Sequence, residues 1–390
     1  MPVFVGAGTS SFMKGDGGAG FTQATTTQRN AISGPVNGQL IYNTTEGRLE
    51  VYANGGWQEV SPTPFTASGG NQANGTESGG YKYHTFTNSG SFTVTAGEVA
   101  DAQVLVVGGG GGGGAHNNGG TDGGAGGGGG GVALASAIPL APGTYNITVG
   151  GGGSGGAHNT SENGNPGCRD KNAPYSGQSG SNGGDSVFGA SSPNAIKITG
   201  EGGGGGGSGP NAGNQDCGGS GGGAGSGGSP GTSGATGNQP NQNPSFSTGP
   251  LSQYGNPGGN SPASPIFLGA GGGGAGGGGG NGSSGGPGRG GPGVQLPTAW
   301  DASAIGFGHG HGRYYGAGGS GGNQPNVNGT PISGGTGGGG TGHSNNSGPN
   351  PGAANGGGGG GGCGNPSPDS RSAGGSGGKG LVVIRYPASA

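Results

Sequence analysis

The sequence predicts a mainly β protein with polyglycine II-like helices: a short N-terminal β-hairpin module, then a glycine-rich sandwich closed by an antiparallel β-sheet. Three observations lead there. Glycine supplies 122 of 390 residues, in runs such as 108–114 and 356–362 that lack a Gly-X-Y period, which excludes a collagen triple helix. Strand-like stretches bracket the glycine region, Val104-Leu105-Val106-Val107 near its start and Leu381-Val382-Val383-Ile384-Arg385-Tyr386 at its end. Residues 1–60, by contrast, have ordinary apolar and charged content. Low-complexity disorder competes on composition alone, but strands at both ends tie the glycine region into a body.

Leu40 and Tyr42 alternate on one strand and Leu49 and Val51 on the next, with 43–47 as the turn, 53–56 as a second turn and 57–60 as a third short strand. So few large side chains cannot make a stable monomeric core, so association is expected through Leu40, Tyr42, Leu49, Val51, Tyr52 and Trp57. Residues 61–80 read as a linker and 81–390 as a glycine-rich fibre domain.

Within 81–390, further strands are expected at 83–87, 91–95, 132–138, 144–149 and 195–199. The glycine runs 108–114, 126–131, 202–207, 271–280, 337–340 and 356–362 read as extended threefold rods. Such a helix has no internal hydrogen bonds and rises about 3.1 Å per residue, so a seven-residue rod reaches roughly 22 Å. Its backbone groups must be paired with something, and rods without side chains can pair with each other. Nearly all aromatic and charged residues of the distal half fall between the rods, where loops on a rigid scaffold carry recognition.

Composition excludes several classes. A net charge of −3 with 7% charged residues offers no basic face for nucleic acid. No apolar run approaches the ~18 residues that span a bilayer, and the start has no signal-peptide pattern, so a soluble product made in a cytoplasm is expected. Cys168, Cys217 and Cys363 lack paired spacing and read as free thiols. Copies of Gly-x-Gly-x-x-Gly occur at chance frequency without the strand, helix and acid of a dinucleotide site. Residues 180–187 match a calcium nonapeptide only partly and do not repeat. Fifteen scattered acidic residues give no paired carboxylates, so no enzyme activity, cofactor or metal is expected.

The densest chemical cluster is 308–315. His309 and His311 lie on one face of an extended chain and, with His116 or His343, could hold a metal; a surface loop using His, Arg and Tyr for contacts is the favoured reading. Aromatic residues and Arg anchor interfaces. The candidate receptor contacts are therefore Trp300, Phe307, His309, His311, Arg313, Tyr314 and Tyr315, followed by Tyr254, Phe246, Phe267 and Tyr175. The alternative is that each caps the end of a glycine rod.

Two resemblances bear on function. Thr27-Gln28-Arg29-Asn30-Ala31-Ile32, Gly38 to Thr45, Val51-Tyr52 and Gly55-Gly56-Trp57 resemble a short module of bacteriophage tail-fibre and virion structural proteins, including those of cyanobacterial phages. Phe92-Thr93-Val94, Val104 to Gly108, Pro142 to Gly150, Gly183 to Phe188 and Leu381 to Tyr386 occur in the order found in phage glycine-rich fibre domains. This second region is also similar to the polyglycine-sandwich tip adhesins of T-even-like phages, although only a hairpin module precedes it here. The resemblance implies a virion protein assembled in the host cytoplasm: a tail fibre or receptor-binding adhesin, or alternatively a structural head fibre, capsid decoration or neck spacer. The implied partners are other virion proteins, further copies of the chain (a trimer being one arrangement) and a host surface saccharide or outer-membrane protein. Nucleic acid binding and membrane insertion are not expected. A glycine-helix ice-binding protein is a third class, but it would not need the module at 27–60.

Overall fold

The computed structural model describes residues 21–60, 63–115, 123–157, 178–189, 196–208, 216–226, 233–239, 250–262, 268–305, 313–322, 332–343, 348–364 and 373–389. The chain divides into two compact units, Met1–Pro64 and Phe65–Ala390.

In the first unit, β1 (Thr22–Ala24), β2 (Leu40–Asn43), β3 (Arg48–Ala53) and β4 (Gly56–Glu59) form a four-stranded sheet in that order. The hairpin between β3 and β4 turns on Asn54 (φ 52°) and Gly55 (φ 81°), the pair of left-handed residues that a two-residue turn of this hand demands. The helix α1 (Thr26–Asn30) starts in a capping box, with the Thr25 side chain accepting from Gln28 N and the Gln28 side chain reaching back to Thr25 N. Strand alternation then sorts the faces. Ile41, Asn43 and Glu50 are fully buried; Glu50 takes Arg29 at 3.0 Å, Arg48 at 3.3 Å and the Asn43 amide at 3.2 Å. Leu40 and Tyr42 point the other way and are each 38% exposed, beside half-buried Leu49 and Val51. Of the six expected association residues, these four share that face, whereas Tyr52 and Trp57 pair across β3 and β4 at 5.4 Å.

The second unit is built on two antiparallel sheets. Introduced in chain order, its strands are β5 (Thr66–Ser68), β6 (Thr76–Ser78), β7 (Tyr81–Phe86), β8 (Gly90–Ala96), β9 (Val99–Val107), β10 (Val132–Leu140), β11 (Gly143–Thr148), β12 (Ser186–Phe188), β13 (Ile198–Gly200), β14 (Leu251–Tyr254), β15 (Val294–Gln295), β16 (Tyr314–Tyr315) and β17 (Leu381–Pro387), with a short helix α2 (Ala302–Ile305) before β16. One sheet runs β14-β10-β9-β17-β7-β6 and the other β13-β12-β11-β8-β5. The closing strand pairs with β9 as the sequence suggests, Leu381 opposite Val107 through Arg385 opposite Gln103. The linker expected over 61–80 needs correction, because β5 and β6 lie inside it as edge strands of the two sheets. Thr, Ala and Ser carry little apolar signal, and edge strands need little.

Phe92, Val104, Val106, Tyr145, Phe188, Ile198, Val382 and Ile384 fill the space between the sheets. Alternate residues of the same strands, Leu105, Val107, Leu381 and Val383, face outward and are also fully buried. A sheet covered on both faces explains why β17 reads as an unbroken apolar run. Each such side chain contributes about 1.5–3 kcal/mol on burial. Inside, His84 donates from Nδ1 to the Gly69 carbonyl at 2.8 Å and pairs through Nε2 with Tyr386 OH at 3.1 Å, and desolvation holds its imidazole below the usual range.

The glycine rods continue the strands of both sheets. Run 108–114 leaves the end of β9, 125–131 enters β10, and 374–380 enters β17; 150–156 follows β11, 180–185 precedes β12, and 201–207 follows β13. Within 108–114 the partners recur every third residue, the period of a threefold extended chain. Gly108, Gly111 and Gly114 donate to Gly131, Gly128 and Ala125; Gly109 and Gly112 to Gly184 and Ser181; Gly110 and Gly113 to Gly378 and Gly375, all at 2.8–2.9 Å. Its carbonyls accept from 153–156, 203–206 and 360–363 in the same rhythm. This run thus bonds to six neighbours, three as donor and three as acceptor. Two expected rods are broken: 271–280 turns back between Gly274 and Gly277, and Gly337 and Gly338 form a turn at φ 106° and 99°. Mixed runs such as 218–226, 316–322 and 374–380 join the lattice with Ser or Ala among their glycines.

A methyl group on Gly111 would collide with the Gly204 carbonyl, whereas one on Gly151 meets nothing within 4 Å. Gly111→Ala is therefore expected to lose about 2–3 kcal/mol or fail to fold, and Gly151→Ala to stay within about 0.5 kcal/mol of wild type. Equilibrium denaturation of both variants checks this; equal midpoints would contradict the packing.

Candidate functional site

The segment 294–305, with β16, lies across the outer face of the six-stranded sheet. Leu296, Trp300, Ala304, Ile305 and Tyr315 pack there against Tyr83, Leu105, Val107, Val132, Leu381 and Val383. β15 and β16 pair as a two-stranded ribbon, Val294 opposite Tyr315 and Gln295 opposite Tyr314, and Leu296 N donates to Arg313 O at 2.9 Å.

Register across the sheet explains why this segment is held where it is. Gln103 on β9, Arg385 on β17 and Tyr83 on β7 are aligned in one row. The guanidinium of Arg385, 2% exposed, donates from Nε and Nη2 to Gln103 Oε1 at 2.9 and 2.6 Å, and from Nη1 to Tyr83 OH at 3.0 Å and to the Ala299 carbonyl. It lies 4.4 Å from the Tyr81 ring centroid and 4.2 Å from that of Trp300. A buried cation is costly unless its donors are met; here neutral oxygens and aromatic faces meet them. Tyr83 OH also accepts from Asp301 N at 3.2 Å, and Ser78 Oγ on β6 donates to Asp301 Oδ2. Together these bonds fasten residues 299–301 to the sheet.

Above this anchor an open cleft of about 460 Å³ is lined by Gln295, Thr298, Trp300, Asp301, Ala302, Arg313 and Tyr314. Asp301 Oδ1 accepts from Ser303 N at 2.8 Å and Ser303 Oγ at 2.7 Å. Those bonds, led by the one from Ser78, hold its carboxyl down at about 2, so it is an anion across the physiological range. Arg313 and Tyr314 are half-buried and Gln295 and Thr298 exposed. The side chains of these four make no hydrogen bond or ion pair among the described residues.

The expected contact residues divide accordingly. Arg313 and Tyr314 line the cleft, and Trp300 forms part of its wall. Trp300 and Tyr315 are only 2% and 1% exposed, which corrects their expected role as surface contacts: both belong to the packing on the sheet. Burial pushes the Tyr315 hydroxyl up to about 12. Tyr254, at the end of β14, packs half-buried against the same cluster. Phe246, Phe307, His309, His311, Phe267, Tyr175, His116 and Cys168 lie outside the described residues. His343 is buried and its ring is held below the usual imidazole range by desolvation. Cys217 is a half-buried thiol and Cys363 a buried one. Asn182 and Asp185, in the stretch with partial calcium spacing, accept from Gly205 N and Gly202 N, each at 2.8 Å. Gln295, Thr298 and Asp301 were not legible in advance, since isolated polar residues in a loop carry no spacing signal. Among the described residues no helix is long and apolar enough to cross a membrane, and no group of three metal-ligating side chains assembles.

Replacing Arg385 with Ala removes the cation that joins Tyr81, Trp300, Gln103 and Ala299. The expected loss is about 3 kcal/mol, with the emission of Trp300 shifting to the red in a Trp57→Phe background. Denaturant titration followed by fluorescence checks this; a loss below about 1 kcal/mol with unchanged emission would contradict the anchoring role.

Comparison with curated proteins finds no match to the chain. A family model described as a glycine-rich domain matches residues 85–387, a span that runs from the last residues of β7 to the closing strand and takes in the glycine lattice and the cleft, with β5 and β6 ahead of it; the chain belongs to this glycine-rich domain family.

Proposed function

We propose that the protein is a bacteriophage virion fibre that uses its glycine-rich unit to contact the host surface. The observation that carries this reading is the cleft at Arg313 and Tyr314, presented on a rigid, backbone-bonded scaffold, where the side chains of Arg313, Tyr314, Gln295 and Thr298 make no hydrogen bond or ion pair among the described residues. Rigid presentation of recognition residues lowers the entropic cost of binding. The module around β2 and β3, with its apolar face of Leu40, Tyr42, Leu49 and Val51, serves attachment to other virion proteins or to further copies of the chain. Weak individual contacts would then be multiplied by copy number. The phage origin rests on the resemblances at 27–57 and 92–386, and the protein acts by binding rather than catalysis. A second reading, a stiff head, neck or capsid spacer, is favoured by the density of lateral bonds in the lattice.

Gold-tagged antibody against residues 81–390, applied to intact particles of the encoding phage, tests both. Label at the tail extremity is expected. Label on the head or neck would favour the spacer, and unlabelled particles would remove the virion assignment.

A further inference from the structure

The cleft between 295–301 and 313–314 has a composition that narrows its ligand, and the inference deepens the surface-binding reading and rests on it. We propose that this cleft binds a saccharide, recognised through its hydroxyl groups by Arg313, Gln295 and Thr298 beside the fixed anion Asp301, with Tyr314 against the sugar ring.

Hydrogen-bond capacity comes first. Each carboxylate oxygen accepts about two bonds. Asp301 Oδ1 is filled by Ser303 N and Oγ, Oδ2 takes Ser78, and the Ala304 N–H bonds the same carboxylate, so Asp301 supplies a fixed negative charge to the wall rather than an open acceptor. Arg313 offers only donors, and Gln295 and Thr298 offer both. A wall with one fixed anion, one cation and two amphoteric groups suits a neutral ligand whose groups each donate and accept at nearby positions, as ring hydroxyls do. A second anion would sit beside the ionised Asp301, and an apolar ligand would strand four polar side chains. The half-buried Tyr314 supplies an aromatic wall for the C–H face of a pyranose. A volume of about 460 Å³ holds one or two sugar rings.

The site is also preorganised. Asp301 is fixed from three sides by Ser78, Ser303 and Tyr83, and Trp300 is held behind it by Arg385. Arg313 is placed by the ribbon bond from Leu296 N to its carbonyl. Only the outward groups need ordering when a ligand arrives.

The test uses the full chain in two arms. In the first, saturation-transfer NMR is run with a panel of defined hexoses, N-acetylhexosamines, 6-deoxyhexoses and their disaccharides. Transfer to at least one sugar is expected, and Arg313→Ala and Gln295→Ala should each weaken it at least tenfold with the thermal midpoint unchanged. No transfer to any sugar, or transfer that survives both substitutions, overturns the proposal. In the second arm, fluorescent protein is bound to cells of the phage's host after periodate, which cleaves vicinal diols, or after protease. Loss with periodate alone supports the saccharide. Loss with protease alone overturns it while leaving surface binding standing. Absence of cell binding beside intact sugar binding sinks the surface-attachment reading and leaves the cleft assignment in place.

Discussion

Everything beyond the two sheets depends on the direct hydrogen bond between backbones that have no side chains to hold them apart. Ordinary sheets pack face to face about 10 Å apart because side chains fill the gap. Past Val107, Thr148, Gly200 and Leu381 the side chains shrink or vanish, and the layers close until Gly109, continuing β9, donates to Gly184, just ahead of β12 in the other sheet. A two-layer sandwich thereby becomes a lattice in which the run 108–114 has bonded neighbours on every side. Ordering glycine costs more conformational entropy than ordering any other residue, and each hydrogen bond returns only about 1 kcal/mol. Such a body therefore needs bonds in all directions and a firm base from which to start.

The base is the apolar double sheet, and its second role is to position the cleft. β17 is buried on both faces: Val382 and Ile384 look into the space between the sheets, Val383 and Arg385 into the packing under residues 294–305 and 313–315. One strand thus joins the lattice at its N-terminal end and, four residues on, fastens the wall of the cleft through Arg385, Tyr83 and Trp300. Stability and site geometry are coupled in that strand, because the aromatic residues that hold the cleft are the same ones that cover the sheet.

Much of this was legible in residues. The likeness of 104–107 and 381–386 announced that the two ends of the glycine region meet in one sheet, and Asn54-Gly55 announced the turn between β3 and β4. Of the long glycine runs, 108–114 joins the backbone-bonded lattice along its length, whereas 271–280 and 337–340 contain turns. The mixed runs at 218–226 and 374–380 were missed: Ser376 and Lys379 are exposed and Ser220 and Ser226 are buried within the lattice, and in both places the non-glycine residues disguise a segment that is backbone-bonded. β5 and β6 were hidden by their Thr, Ala and Ser content. Among the site residues, Trp300 and Tyr315 were chosen for aromatic identity, and identity cannot tell a ring that covers a sheet from one that meets a ligand. Arg385 reads as part of a strand; only register shows it opposite Gln103 and Tyr83.

Hydrogen–deuterium exchange resolved by peptide tests the central claim most directly. If the glycine rods are held by lateral backbone bonds, amides in 108–114 and 374–380 will be protected to the same degree as those of Val104–Val107 and Leu381–Tyr386. Exchange of the glycine amides at the rate of an unstructured chain, with the neighbouring strands still protected, would contradict the lattice and everything built upon it.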